Sequence, residues 1–142
     1  LFHLLQHFDV VDDMHFMLQK EVVDRIVARA GDKAYGRLSV MLGCAVDAEH
    51  LFDGGPESFD PPPKVQSAIV RLTPLPASER LGSGSGFEAL VKRAFSMRRK
   101  TLRNALRDFV NTEQMEDLGI DPGRRPETLS IAEFDTLSRL RS

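Results

Sequence analysis

The sequence predicts an α/β fold in which three strands form one edge of a larger sheet, followed by a small all-α part. Three observations carry that expectation. Apolar residues in the first half switch between strand-like runs and helical spacing. From residue 87 onward every apolar period is helical. Between the two lies Leu81-Gly82-Ser83-Gly84-Ser85-Gly86, preceded by Pro74 and Pro76; Gly/Ser alternation is flexible and supports neither helix nor strand. The division expected is 1–77, a linker over 78–86, and 87–142.

The elements follow in order. Leu1–His7 reads as the end of a helix. Asp12-Asp13 then turns into Met14-His15-Phe16-Met17-Leu18, a short apolar run of buried-strand type, in which His15 is expected as a satisfied core residue. Lys20–Ala30 carries Val22, Val23, Ile26 and Val27 at helical spacing and is ended by Ala30-Gly31. Gly36–Cys44 predicts a second short helix, Ala45–Phe52 a strand, and Ser67–Leu72 a strand closed by Pro74. Strand, helix, helix, strand, loop, strand is an α/β pattern. The last part predicts helices over 87–95, 98–110, 112–118 and 130–140.

Composition bounds the function. With 142 residues, 42% hydrophobic and 28% charged, the chain is an ordinary globular one, not disordered or fibrous. No apolar run approaches the ~20 residues of a membrane span, and no basic-then-apolar leader is visible, so no membrane partner is expected. The single Cys44 excludes an intrachain disulfide and cannot alone build a zinc site; a reduced, cytoplasmic location fits. The opening Leu1-Phe2-His3-Leu4-Leu5 resembles the middle of a buried element, so a fragment of a longer protein is expected.

Net charge is −2, but its distribution is uneven. Residues 1–86 hold eight basic and twelve acidic groups, whereas residues 87–142 hold eleven and nine. Seven Lys/Arg and no acid fall within residues 92–107. On one continuous helix Val91, Phe95, Leu102, Leu106 and Phe109 share a face, with Lys92, Arg93, Lys100, Arg103 and Arg107 in an arc beside it and Arg99 near its edge. Arg98 lies off that arc, so the helix alternatively breaks near Ser96 and places Arg98-Arg99-Lys100 at a turn. A solvated helix face usually alternates charge sign, and this one does not; contact with a nucleic-acid backbone is the favoured reading.

A second feature is Phe59-Asp60-Pro61-Pro62-Pro63-Lys64-Val65-Gln66-Ser67. Three prolines fix φ and force an extended loop directly before a strand. Such a loop either plugs the core with Phe59 as a rigid crossover or holds that ring against a flat ligand. No metal-ligand spacing links His3, His7, His15 and His50, and neither a G-x-G-x-x-G nor a Walker loop is present.

Five segments together resemble the dimethyladenosine transferases of small-subunit ribosomal RNA, the KsgA family. They are Met17-Leu18-Gln19-Lys20-Glu21-Val22, Ala34-Tyr35-Gly36-Arg37-Leu38-Ser39-Val40, Phe59–Val65, Arg98-Arg99-Lys100-Thr101-Leu102-Arg103-Asn104, and Gly119-Ile120-Asp121-Pro122 with Arg125, Glu127, Leu129 and Ser130. The resemblance covers nearly the whole chain and is weakest at 45–55 and 77–90. It implies the C-terminal edge of a Rossmann-like methyltransferase sheet over 1–77 and a helical rRNA-binding domain over 87–142.

It further implies S-adenosylmethionine-dependent dimethylation of N6 on two adjacent adenosines near the 3′ end of 16S rRNA, without a metal. The substrate would be a small-subunit precursor and the parent protein a cytoplasmic monomer. The glycine-rich cofactor turn and an Asn-Leu-Pro-Tyr segment would lie upstream, leaving this chain inactive alone. By resemblance, Phe59 stacks the extruded adenine, Pro61 and Pro63 set its loop, and Arg98, Arg99, Lys100 and Arg103 contact the rRNA backbone; an enzyme that modifies a base must grip it outside its stack. Gln66 stands where the family usually has Asp and is assigned no catalytic role. Two other readings are a non-catalytic RNA-binding or ribosome-assembly module and the large-subunit rRNA methyltransferase of macrolide resistance.

Overall fold

A computed structural model describes residues 13–54, 66–84 and 86–140. Strand β1 spans Met14–Gln19, β2 Val46–Asp53 and β3 Ser67–Pro74. Helices α1 (Lys20–Val27) and α2 (Arg37–Gly43) fall between β1 and β2. Four more follow β3: α3 (Phe87–Ser96), α4 (Leu102–Ala105), α5 (Thr112–Asp117) and α6 (Ile131–Arg139), with short 3-10 turns at Ala77–Glu79 and Pro126–Thr128.

The sheet order is β1-β3-β2, with the middle strand antiparallel to both neighbours. Period-2 alternation sends Ala68, Val70 and Leu72 of β3 into a core with Val46 of β2, Val23 and Ile26 of α1, and Leu42 of α2. Met14, Phe16 and Leu18 of β1 pack partly buried against the same cluster. The opposite face is only partly covered among the described residues. There His15 pairs with Arg71 and Arg71 with Glu49, while Met17 pairs with Ile69 and Ile69 with Phe52. A bulge between His50 and Phe52 resets the register, so Phe52 rather than Leu51 stands opposite Ile69. Met17 and Phe52 are 51% and 58% exposed.

Three expectations change here. Met14–Leu18 is a strand buried on one face only, and His15 lies on the exposed face instead of in the core. α1 stops at Val27 rather than Ala30 because Ala28 is already extended. The Gly/Ser segment is tied at two points: Leu81 N–H donates to the Cys44 carbonyl at 2.8 Å, and Gly82 N–H to Asp135 Oδ1 at 2.8 Å. Gly82 has φ +80°, and a Cβ there would fall 2.9 Å from the Phe87 ring, so glycine is required at that position. Leu1–His7, Asp12 and Ser85 lie outside the described residues.

A second core joins Phe87, Leu90, Val91 and Ala94 of α3 to Leu102, Ala105, Leu106, Met115, Leu129, Phe134 and Leu137. Tyr35, Val40 and Cys44 enter this same cluster from before β2, so the helical part is built partly on residues of the first half. Burial, more than the opposing backbone hydrogen bond, raises the Cys44 thiol above its ordinary pKa, as does the charge of Asp135; the sulfur is a packed core atom rather than a poised nucleophile.

Candidate nucleic-acid interface

The cationic segment is not one helix. α3 ends at Ser96, whose Oγ donates to the Arg93 carbonyl at 2.7 Å, and residues 97–100 form a turn closed by Lys100 N–H on the Met97 carbonyl at 2.9 Å. The next helix, α4, begins only at Leu102. Its first amides are satisfied from a distant loop: Leu102 N–H donates to the Arg124 carbonyl at 2.7 Å and Arg103 N–H to that of Pro122 at 3.0 Å. Those partners replace the preceding turn that a continuous helix would have supplied. The helix expected over 98–110 is thus corrected to a turn, a four-residue helix and further turns. The alternative with a break near Ser96 is the arrangement present.

Within that frame the seven cations separate. Arg93 braces α3 against α4, donating from Nε to the Ala105 carbonyl at 3.3 Å with Nη2 4.0 Å from Asp108 Oδ2. Asp108 lies just past the acid-free stretch, so the expected absence of any neutralising acid fails at Arg93. Arg107 donates to Asn104 Oδ1 at 2.9 Å, and Arg98 donates to the Tyr35 carbonyl at 3.0 Å. Among the described residues, Lys92, Arg99, Lys100 and Arg103 are exposed and their side chains have no hydrogen-bond or ion-pair partner. Three of these, Arg99, Lys100 and Arg103, surround the turn. Unpaired guanidinium and ammonium groups there can donate to phosphate oxygens without first breaking an internal bond.

The turn borders a cleft of about 1050 Å³ whose walls include Lys33, Arg37, Met41, Phe95 and Arg98. Arg37 Nη2 reaches Glu88 Oε1 at 3.3 Å, tying α2 to α3 across it. Beneath lies an aromatic group in which Phe95 meets Tyr35 edge-on at 5.9 Å and Phe134 at 5.6 Å. Tyr35 donates from its hydroxyl to the Leu129 carbonyl at 2.8 Å. Burial, and secondarily the charge of Glu133, pushes its pKa up to about 12, so the phenol keeps its donor proton well into the alkaline range. Sequence reasoning missed the Arg98–Tyr35 bond and the cleft, because the partners are 63 positions apart in the chain.

A brace supports the loop that caps α4. Arg124 makes paired bonds to Glu133, Nη1 to Oε2 at 2.7 Å and Nη2 to Oε1 at 3.1 Å, and Ser130 and Glu133 form a reciprocal cap at the start of α6. The Arg124 hydrogen bonds, outweighing desolvation, lower the Glu133 pKa. A lowered carboxyl pKa contributes stability that is complete above the unfolded value of about 4.3 and is lost as pH falls through the folded one. Glu133→Gln is therefore expected to lower Tm at pH 7 and to lose that deficit progressively below about pH 4. Thermal melts of both proteins from pH 7 to pH 3 would check this, and a constant deficit would contradict it.

At the far end of the sheet, Asp53 bonds Lys20 Nζ at 3.1 Å and His50 Nε2 at 2.7 Å, which lowers its pKa, the Lys20 bond contributing most. Gly54 N–H donates to the Ser67 carbonyl at 2.6 Å and Lys20 N–H to that of Gln66 at 2.8 Å, which joins the flanks of residues 55–65 to the sheet. Phe59, Pro61 and Pro63 lie outside the described residues. No group of His, Cys, Asp and Glu among the described residues could hold a metal ion. No helix among them is long and apolar enough to cross a membrane.

Solved structures share this architecture. A dimethyladenosine transferase from Plasmodium falciparum superposes with a TM-score of 0.80 at 26% identity, over 99% of this chain and 61% of its own. The 23S rRNA methyltransferase ErmE superposes at 0.60 over 90% of this chain and 54% of its own; at 24% identity that likeness is one of fold. The β1-β3-β2 edge with its appended helices is thus the fold of the rRNA adenine methyltransferases. At the level of sequence, the model of the ribosomal RNA adenine dimethylase family matches residues 1–140, and the chain belongs to that family. Similar relatives include the Ribosomal RNA small subunit methyltransferase A of Methylococcus capsulatus, 55% identical over 98% of this chain. The protein of that name from Legionella pneumophila strain Corby is 54% identical over all of it. The chain spans about half the length of these curated relatives, 54% and 56%.

Proposed function

We propose that the protein containing this chain dimethylates N6 of two adjacent adenosines near the 3′ end of 16S rRNA during small-subunit assembly. What supports the reading is the exposed, unpaired cationic turn at Arg99, Lys100 and Arg103, on a chain 55% identical to a relative named for small-subunit rRNA methylation. Those side chains form the rRNA grip, and Arg98 sits at the root of the turn that carries them. Residues 1–77 belong to the catalytic domain, 78–86 connect, and 87–142 hold the RNA. Phe59 stacks the target adenine, with Pro61 and Pro63 setting its loop.

S-adenosylmethionine supplies a methyl group already activated by its sulfonium charge, so the reaction needs no metal. By the family resemblance, its site belongs to another part of the protein. The substrate is a small-subunit precursor, and the protein acts as a cytoplasmic monomer. Orienting the amino group for in-line attack would supply most of the acceleration.

The test is methyl transfer by the full native polypeptide to unmethylated ribosomal subunits, using labelled S-adenosylmethionine. Label on two adjacent adenosines near the 16S 3′ end is expected. Label in large-subunit rRNA would move the assignment to the macrolide-resistance type, and RNA binding without transfer would leave an assembly module.

A further inference from the structure

Arg98 differs from the cations around it. The side chains of Arg99, Lys100 and Arg103 have no partner among the described residues, whereas that of Arg98 is committed twice. Its Nη2 donates to the Tyr35 carbonyl at 3.0 Å, and its guanidinium carbon sits 5.9 Å from the centroid of the Phe95 ring. Tyr35 is itself immobilised: it is 1% exposed, its hydroxyl bonds the Leu129 carbonyl, and its ring meets Phe95 edge-on. The loop that carries Tyr35 lies between α1 and α2, which cover one face of the sheet. Arg98 therefore links the turn after α3 to the layer above the sheet.

We propose that Arg98 is a positioning residue: it fixes the cationic turn relative to the α/β part and makes no phosphate contact of its own. The inference rests on the rRNA grip proposed above. Among the described residues, the backbone of the turn is held only by Lys100 N–H on the Met97 carbonyl and Met97 N–H on that of Ala94. Those two bonds, with the cap that Pro122 and Arg124 place on α4, fix the curve within the helical part, but they do not tie it to the α/β part. The Arg98–Tyr35 bond supplies the aim, because its acceptor belongs to a rigid, buried residue outside the turn. Arginine suits the task where lysine does not. Its planar fork can lie against a ring and donate in the ring's vicinity at the same time, whereas an ammonium is a compact point charge.

Salt dependence separates the two roles. A side chain that neutralises a phosphate releases a counterion, so its removal lowers the slope of log K against log salt by about 0.7–0.9. A residue that only aims the others changes affinity at every salt concentration and leaves the slope alone. The experiment measures binding of the full native polypeptide to a transcript of the 16S rRNA 3′ region across a salt titration. The variants are Arg98→Gln, Arg98→Lys, Arg99→Gln, Lys100→Gln and Arg103→Gln.

The expected result is a slope lowered by about one for each of Arg99→Gln, Lys100→Gln and Arg103→Gln. Arg98→Gln should weaken binding about tenfold, the scale of one missing charge-assisted hydrogen bond, at an unchanged slope. Arg98→Lys, which keeps the charge, should weaken it comparably. A slope lowered by Arg98→Gln and restored by Arg98→Lys would overturn the inference, because Arg98 would then be a phosphate contact like its neighbours. Unchanged slopes for all five variants would overturn the rRNA grip itself, and the role of Arg98 with it. Should Arg98→Gln fail to fold, Arg98→Met takes its place under the same criterion: weakened binding at an unchanged slope supports the proposal, and a lowered slope overturns it.

Discussion

Replacing Arg99, Lys100 and Arg103 together by glutamine is expected to weaken binding to 16S rRNA by about a hundredfold to five hundredfold at 0.1 M salt. The size follows from counterion release: each side chain that no longer neutralises a phosphate takes about 0.7–0.9 from the salt exponent, which at 0.1 M is worth about five- to eightfold in affinity. The three side chains are exposed and unpaired among the described residues. Their replacement should therefore leave stability within about 0.5 kcal/mol, the usual range for surface changes away from special features. Binding isotherms at several salt concentrations, beside thermal melts, would check both halves. A loss of affinity with an unaltered slope would place the phosphate-binding groups elsewhere.

Phe134→Ala should produce the largest loss of stability, about 3–5 kcal/mol. The ring is fully buried, lies 5.6 Å from that of Phe95, and belongs to the core cluster with Tyr35, Leu129 and Leu137. Truncation forfeits its transfer free energy and leaves a cavity that helices pinned on several sides cannot close. Against a total of about 5–15 kcal/mol for a typical domain, that is a large fraction. Urea denaturation would measure it, with Phe52→Ala as the comparison, since Phe52 is largely exposed on the outer sheet face. Equal losses for the two would mean that the described core is not what holds the protein together. Phe95 is also the ring beneath Arg98, so loss of Phe134 should disturb the cationic turn as well as the core.

The three strands and the first two helices were legible in the sequence because each has a strong period and a clear boundary. The alternation in Ser67–Leu72 gives β3 its buried Ala68, Val70 and Leu72, and Pro74 marks its end. His15 shows what a run of apolar letters hides: parity within Met14–Leu18 puts every second side chain on the outer face, the imidazole among them. The bulge after His50 has no local signal, since it depends on the strand opposite.

The misreading of 98–110 has a different cause. Leu102, Leu106 and Phe109 keep a helical period because residues 102–110 do contain helical turns. The break at Met97–Lys100 is imposed from elsewhere, by carbonyls at Pro122 and Arg124 that no local pattern around residue 100 reveals. The same limit applies to the site. The clustering of cations was visible, and so was their freedom from acids within 92–107, but the division of labour among them was not. Arg93 turns to the Ala105 carbonyl and Asp108, and Arg98 to Tyr35, because of packing between segments that the sequence does not display as neighbours.

The borrowed cap on α4 also bears on the order of events in folding. Four residues are far too few to offset the cost of nucleating a helix in isolation. α4 can therefore persist only once the loop near Pro122 and Arg124, some twenty positions downstream, has closed onto its amides. The curve that presents Arg99, Lys100 and Arg103 is thus a product of long-range assembly, and it cannot form on a nascent chain that ends before that loop. A half-made or partly unfolded protein would carry the same charges without the same shape, so the RNA engagement proposed for this turn is coupled to completion of the fold.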